Sequence, residues 1–497
     1  MITLSHAVLL VIVLFIIGSI YWYLTIPKNL PPGPLGLPFL GSSLHYLDGT
    51  KQHLILQQHV KKYGPLFKVY IANKLVIVLG NYELIQEALV KQGDVFAARP
   101  PIESFLPEKL RQAGISMSEG DRWREQRRFA LSTLRDYGVG RPIIEPRIKQ
   151  EIEHLNERIV EYAANKVPFN PQRLVTCAVS NIMNQLLFGR RFSYDDEEFV
   201  RQVTGLSSRS SGTGVSFLSP FVLSEAPSAL IKYLPMGKKI QAEITDYLHY
   251  IKGELEKTRS TFDPDSEPTN YIHAFMKAAT TASHNSYFSD DQLLATCNDL
   301  FQAGTDTSST TIRWAIFILA HHQDIQEQMY REIRDQVGTS CMPSYADRSK
   351  LPLAEAVIME TQRYSNLIPL GVLRRTIVPT KLMGYDIPQD SIIIPLLTNI
   401  LHNPDLYPDP FNFNPSRFLD GSGKVIRDPK LIPFQAGKRI CLGEPLARME
   451  LFLILVGLVS KFRLYFPTDR LKPSMEPVIG FFCSPQPFEI CAEVRSD

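Results

Sequence analysis

Cys441 lies within Phe434-Gln435-Ala436-Gly437-Lys438-Arg439-Ile440-Cys441-Leu442-Gly443, followed by EPLARMELFLILVGLV. The second part reads as an amphipathic-to-apolar helix with no breaker before Gly457, so the cysteine sits just ahead of a helix N-terminus. Free N–H groups and the helix dipole there favour a thiolate. Arg439, two residues earlier, adds a fixed cation, and Gly437 and Gly443 allow unusual backbone and close approach of a flat partner. Such a thiolate suits a soft metal. One cysteine cannot complete a zinc or iron–sulfur site, but it suffices where a porphyrin supplies the other ligands. A buried structural cysteine in a turn is the alternative.

A second chemical signal lies in residues 290–322. Between Gln292 and Ile312 the only charges are Asp299 and Asp306. Leu293, Leu294, Cys297, Leu300, Phe301 and Gly304 recur at helical spacing, which predicts a buried helix. Its centre, Ala303-Gly304-Thr305-Asp306-Thr307-Ser308-Ser309-Thr310-Thr311, is built from poor helix formers. That predicts either a local distortion or a tight small-residue helix crossing. Functionally, Gly304 would admit a ligand to the backbone, Thr307 would offer a hydroxyl to a bound oxygen, and Asp306 would supply protons through water.

The run F-x-x-G-x-R-x-C-x-G resembles the haem-ligand signature of the cytochrome P-450 superfamily, with every fixed position present, and its continuation resembles the microsomal family 2 type. Ala303, Gly304, Asp306, Thr307 and Ser308 resemble that family's oxygen-activation motif. The resemblance implies a haem b cofactor (iron protoporphyrin IX) with Cys441 as axial ligand of the iron, and Asp306 and Thr307 as the proton-managing catalytic pair. Phe434 and Gly437 belong to the cofactor loop.

Trp123 and Arg127, at i and i+4, resemble the pair that binds a haem propionate. Arg439 and Arg374 are further propionate ligands by the same resemblance, although Arg374 stands where family 2 members often carry His. Gln435 stands where Ser or Gly is usual. Glu360 and Arg363, with Arg417 from Phe413-Asn414-Pro415-Ser416-Arg417-Phe418, resemble the structural E-x-x-R lock that supports the haem pocket. Segments 101–116, 215–223, 297–307, 368–372 and 479–482 are implied to line the substrate space, with Phe301, Ala303, Ile368, Leu370, Val372 and Phe481 on its wall. Their apolar character fits a fatty acid, steroid, terpenoid or foreign compound.

These groups need a large scaffold. Candidate helices cover 51–63, 82–92, 118–136, 144–165, 173–188, 238–258, 290–322, 323–337, 352–365 and 443–460. Strand-like runs fall at 66–79, 372–395 and 478–495. The fold class is therefore mainly α with a smaller β portion, and the resemblance makes it a single haem-thiolate monooxygenase fold over 46–497. The Ser/Gly-rich stretch 201–216 and the apolar FLSPFVL after it read as a loop that packs into the core or touches lipid or a greasy ligand.

Ahead of this domain, residues 7–24 carry no charge and would span about 27 Å as a helix. Tyr21, Trp22 and Tyr23 cluster at one end. We read 1–27 as a retained single-pass membrane anchor and 28–45, with Pro31, Pro32 and Pro34, as a stiff linker.

Of 497 residues 44% are hydrophobic and 21% charged, which excludes disordered and collagen-like chains. A net charge of +2 argues against a nucleic-acid binder. Six scattered cysteines without a C-x-x-C pair argue against a zinc site or a disulfide framework.

No flavin or nicotinamide fingerprint is present, so electrons must come from outside. The resemblance implies an NADPH-dependent flavoprotein reductase carrying the flavins, with cytochrome b5 as a further donor, on the endoplasmic reticulum membrane with the catalytic domain on the cytoplasmic side. Arg124, Arg128, Lys438 and Arg448 are the candidate docking cations. Two other readings remain at this point: an oxygen-independent haem-thiolate isomerase or dehydratase of lipid peroxides, and a non-catalytic membrane-anchored haem or lipid carrier.

Overall fold

The computed structural model describes residues 4–38, 40–101, 106–212, 233, 235–281, 287–339 and 341–495. The proposed lining segment 215–223, and residues 102–105 of the segment 101–116, lie outside the described residues.

The longer helices are α1 (Leu4–Thr25), α2 (Gln52–Tyr63), α3 (Gly120–Asp136), α4 (Glu145–Asn165), α5 (Pro171–Leu187), α6 (Glu197–Gly212), α7 (Pro235–Arg259), α8 (Tyr271–Thr281), α9 (Asp290–His321), α10 (Gln323–Gln336), α11 (Pro352–Ser365) and α12 (Glu444–Lys461). Strands β1 (Leu66–Ile71), β2 (Lys74–Leu79), β6 (Ile392–Pro395) and β3 (Arg374–Arg375) form a sheet in that order. β1 and β2 are antiparallel, β2 and β6 parallel with Ile77 opposite Ile393, and β3 is antiparallel to β6. Pairs β4 (Thr380–Leu382) with β5 (Tyr385–Ile387), β8 (Val478–Ile479) with β9 (Cys483–Ser484), and β7 (Phe462–Tyr465) with β10 (Cys491–Val494) make small hairpins or ribbons.

The main apolar core gathers around α4, α5, α9 and α12. α12 is buried from Met449 through Val459, which explains why its sequence is apolar on every side. α9 begins at Ser289, whose hydroxyl accepts from the N–H of Gln292, and runs unbroken for 32 residues. Burial overrides the weak propensity of its centre, so the expected distortion does not take the form of a break. A Cβ at Gly304 would strike the side chain of Met183 on α5. Gly304 therefore serves the close crossing of these two helices.

Three stretches differ from expectation. Residues 82–92 do not make one α-helix: a single turn, Tyr82–Ile85, widens into a π-helix over Gln86–Lys91. The wider turn leaves the Leu89 carbonyl against Gly437 of the cysteine loop. The Ser/Gly-rich run enters α6 rather than a loop as far as Gly212. α8 falls in a region for which no helix was expected.

The proline-rich linker is pinned to the sheet, not free: the carbonyls of Pro31 and Pro32 accept from Lys68 Nζ at 2.7 Å and Lys68 N at 2.8 Å. α1 is 22 residues long. Between residues 4 and 15 only the side chains of His6 and Val13 are described. Among the described residues no helix is long and apolar enough to cross a membrane.

Candidate functional site

The cysteine loop is shaped by its own backbone. Cys441 N–H donates to the Phe434 carbonyl at 3.1 Å, and a short 3-10 turn, Gly437–Arg439, carries the chain between them. Gln435 at φ 63° and Gly437 at φ 76° are both left-handed. Cys441 is exposed, but it faces an internal cavity of about 290 Å³. Burial pushes its thiol up, while the N–H groups of Gly443 and Glu444 pull the other way. Desolvation thus acts on this sulfur more strongly than the helix terminus does. A metal cation at Sγ would reverse that balance.

Around the same cavity stand Trp123 and Arg127 from α3, Ala303 and Thr307 from α9, Ile368, Val372 and Arg374 from the strand-bearing segment, and Phe434 and Arg439 from the loop. Gly437 stands behind the loop, against Leu89. Phe301 is instead buried beside Phe188 at a centroid distance of 6.3 Å. Leu370 and Phe481 line a separate small pocket with His53. These three side chains are therefore placed off the cavity wall, contrary to expectation.

At one end of the cavity four guanidiniums converge. Arg99, missed in the sequence because nothing in its loop context marks it, joins Arg127, Arg374 and Arg439. Arg99 and Arg439 bond mainly to backbone carbonyls, those of Ser116 and Leu373 for Arg99 and of Ala97, Ile115 and Ser118 for Arg439. Arg127 donates to the Ile440 carbonyl at 2.6 Å. Burial, then repulsion among the arginines, pushes Arg439 down to about 8 and Arg99 down to about 9. Nη1 of Arg374 and Nε1 of Trp123 are buried without a partner. A cluster of cations and orphan donors lining the same cavity as a cysteine fits a flat ligand with two carboxylates and a metal, as haem is.

On the α9 side, the Thr307 hydroxyl donates to the Ala303 carbonyl at 2.7 Å. Asp306 is buried away from the cavity, its charge felt by Arg313 two turns along the same helical face. The structure thus separates the expected Asp306–Thr307 pair. Asp299, unassigned in the sequence, lines the cavity and accepts from the N–H groups of Ile115 at 2.7 Å and Ser116 at 2.8 Å. It ties the segment 114–116 to α9, and burial pushes its carboxyl up to about 6.

Glu450 was also missed. It reaches the cavity from α12, with Oε1 buried and unpartnered. Burial pushes it up to about 8, opposed by a hydrogen bond from Ser308. The folded carboxyl therefore keeps its proton where the unfolded one, near 4.5, has lost it. For an acid raised on folding, the resulting penalty is absent below the unfolded value and grows as pH rises toward the folded one. Relative to Glu450→Gln, the native protein should lose about 4 kcal/mol of stability between pH 5 and 8. Parallel denaturant titrations of both proteins across that range check this, and parallel stability curves would contradict it.

Beneath the loop, Arg363 holds Glu360 with two bonds of 2.6 and 2.8 Å, and Arg417 reaches the same carboxylate at 3.1 Å. Arg363 also donates to the carbonyls of Leu401 and Pro410, and Arg417 to that of Pro408. Glu360 and Arg363 are fully buried.

A family model described as cytochrome P450 matches residues 31–492. Among curated proteins, the chain is 37% identical to cytochrome P450 2H1 of Gallus gallus over 462 residues, 93% of this chain and 92% of that one. It is 35% identical to cytochrome P450 2D26 of Rattus norvegicus over 470 residues and 35% identical to cytochrome P450 2D6 of Homo sapiens over 474 residues, in each case 94% of this chain and 93% of the relative.

Proposed function

The chain belongs to the cytochrome P450 family and is a haem-dependent monooxygenase, and on that premise we propose that it inserts one atom of dioxygen into a lipophilic small molecule with Cys441 as the axial thiolate. The observation that carries this reading is a cysteine facing a cavity that Arg99, Arg127, Arg374 and Arg439 also line. When bound, haem supplies the activation of dioxygen and the transfer of oxygen to substrate.

The chain's own residues do the rest. Trp123, Arg99, Arg127, Arg374 and Arg439 would hold the two propionates when haem is bound. Leu300, Ala303, Ile368 and Val372 give the substrate space an apolar wall that favours lipophilic molecules and excludes water. Thr307 holds a proton at Oγ1 on that wall, donated at present to the Ala303 carbonyl, and would supply it toward the haem side of the cavity. Ser308 and Glu450, hydrogen-bonded to each other on the same cavity, serve as a proton store, alongside Asp306 on its buried face. The Glu360–Arg363–Arg417 cluster braces the segment leading into the cysteine loop.

Electrons come from an NADPH-dependent flavoprotein reductase, with cytochrome b5 as a second donor. Of the four docking cations, Arg124 is paired with Asp121 and Lys438 with Asp94, while Arg448 is paired with Glu444 and lies over Phe434. Arg128 is exposed. The docking face therefore rests on partly neutralised charges. α1 is the membrane anchor in this reading: 22 helical residues rise about 33 Å. Exposed Ile16, Ile17, Ile20 and Leu24 support it. In this reading the enzyme sits on the endoplasmic reticulum membrane with its catalytic body in the cytoplasm, as its similarity to microsomal family 2 enzymes supports.

The test is reconstitution with purified reductase and a panel of lipophilic substrates. The expected result is NADPH-dependent product carrying one oxygen from dioxygen. Thr307→Ala should lower product formation at least about tenfold while NADPH oxidation persists, because electron delivery does not need that hydroxyl. Turnover of lipid peroxides without NADPH would point to the isomerase reading. Haem binding with no turnover of either kind would point to a carrier.

A further inference from the structure

Gln435 occupies a left-handed backbone position, φ 63°, that costs an ordinary residue about 1–2 kcal/mol and costs glycine almost nothing. A glutamine kept there has a use for its side chain. That side chain is buried, 8% exposed, and its Oε1 accepts from Nη2 of Arg374 at 2.8 Å. The same Nη2 reaches the Arg439 carbonyl at 3.3 Å. Arg374 is 1% exposed, and its Nη1 has no partner. No carboxylate bonds it among the described residues. Of the acids near the cluster, Glu119 is held by Arg375 at 2.7 and 2.8 Å and Asp299 accepts from the N–H groups of Ile115 and Ser116. Arg99, Arg127 and Arg439 all repel Arg374.

We propose that Gln435 is a positioning residue that clamps Arg374 with its Nη1 toward the haem propionates, so that an undiluted positive charge stands at that end of the cofactor. The inference rests on the haem-thiolate reading above. The choice of amide over carboxylate is the physical point. A carboxylate would hold the guanidinium equally well but cancel its charge, whereas a neutral acceptor fixes the geometry and leaves the charge to act on the cofactor. A fixed cation beside the propionates favours the added electron of the ferrous state. It therefore raises the midpoint potential and slows haem loss.

The experiment uses full-length holoenzyme and two readouts: the ferric–ferrous midpoint potential, and the rate of haem transfer to an excess of a haem-scavenging apoprotein. Gln435→Glu, nearly isosteric, should lower the potential and speed haem transfer about tenfold or more, the worth of one charge-assisted hydrogen bond. Gln435→Gly should also speed haem transfer, while the apoprotein's thermal midpoint holds or rises because the left-handed turn relaxes. Arg374→His should reproduce the loss of potential, and adding Gln435→Glu to it should then do little. A purely structural Gln435 would show a fall in apoprotein stability with no change in potential, and that result overturns the proposal. The carbon-monoxide spectrum of the reduced wild type separates the two levels. A thiolate-type spectrum with unmoved potentials in Gln435→Glu and Arg374→His sinks this inference alone. A non-thiolate spectrum sinks the reading beneath it.

Discussion

Glu360→Ala should destabilise the protein by about 3–5 kcal/mol, the largest effect expected of any substitution outside the cysteine loop. The reason is what the substitution leaves behind. Arg363 would keep its bonds to the Leu401 and Pro410 carbonyls, yet its charge, fully buried, would have no counter-ion. The N–H of Asn414, which now donates to Glu360 at 3.0 Å, would lose its acceptor, and Arg417 would lose its ion pair. All three groups belong to or contact the segment 401–417 that feeds the cysteine loop, so haem content should fall with stability. Glu360→Gln should cost less, because it keeps an acceptor while removing the charge. Chemical denaturation and haem content of the two variants check the ordering. Equal, small losses in both would show that the buried charge is not what Glu360 provides.

Gly437→Ala should be nearly as damaging. At φ 76° a Cβ is strained, and the built Cβ overlaps the Leu89 carbonyl oxygen of the π-helix, which is backbone and has little freedom to retreat. Strain and overpacking together suggest about 3 kcal/mol or more. Because the loop would have to move to make room, Cys441 would move with it. Gly443→Ala is the control: its backbone is at φ −85°, and its added Cβ would meet only Cys441 Sγ, at 4.0 Å. Haem incorporation should fail in the first variant and survive in the second. Incorporation of haem by Gly437→Ala at wild-type levels would show that Leu89 and the loop separate easily.

Much of the site was legible because its chemistry is written at short spacing. Cys441 with Arg439, Trp123 with Arg127, and Glu360 with Arg363 each sit within four residues of one another. What was not legible depends on contacts between distant segments. Asp299 meets Ile115 and Ser116 across more than 180 residues. Glu450 meets Ser308 across two helices, and Arg99 owes its place to a loop held by the Arg375 strand pairing.

The errors on α9 have a geometric cause. At about 100° per residue, Leu300 lies within about 20° of Thr307, whereas Phe301 lies about 120° away and turns into the core. Asp306, next to Thr307 in sequence, is likewise on another face. Leu370 and Phe481 lie in segments near the cavity, but which side of a segment faces inward is set by the sheet and hairpin behind it. Residue adjacency carried the motif and could not carry the face.

The π-helix at Gln86–Lys91 shows the same limit for the backbone. Its apolar pattern reads as an ordinary helix, and only the loop packed against it accounts for the wider turn. α6 begins at Glu197 and runs on into the serine- and glycine-rich stretch that suggested a loop, because Phe199 and Val203 are fully buried and hold its first turns to the core.

The central claim is that the sulfur of Cys441 ligates the haem iron, and the difference spectrum of the reduced enzyme with and without carbon monoxide tests it most directly. A thiolate ligand gives a strongly red-shifted Soret band with carbon monoxide, and that band should be lost in Cys441→His. A wild-type band of the histidine-ligated type, or a red-shifted band that survives Cys441→His, would contradict it.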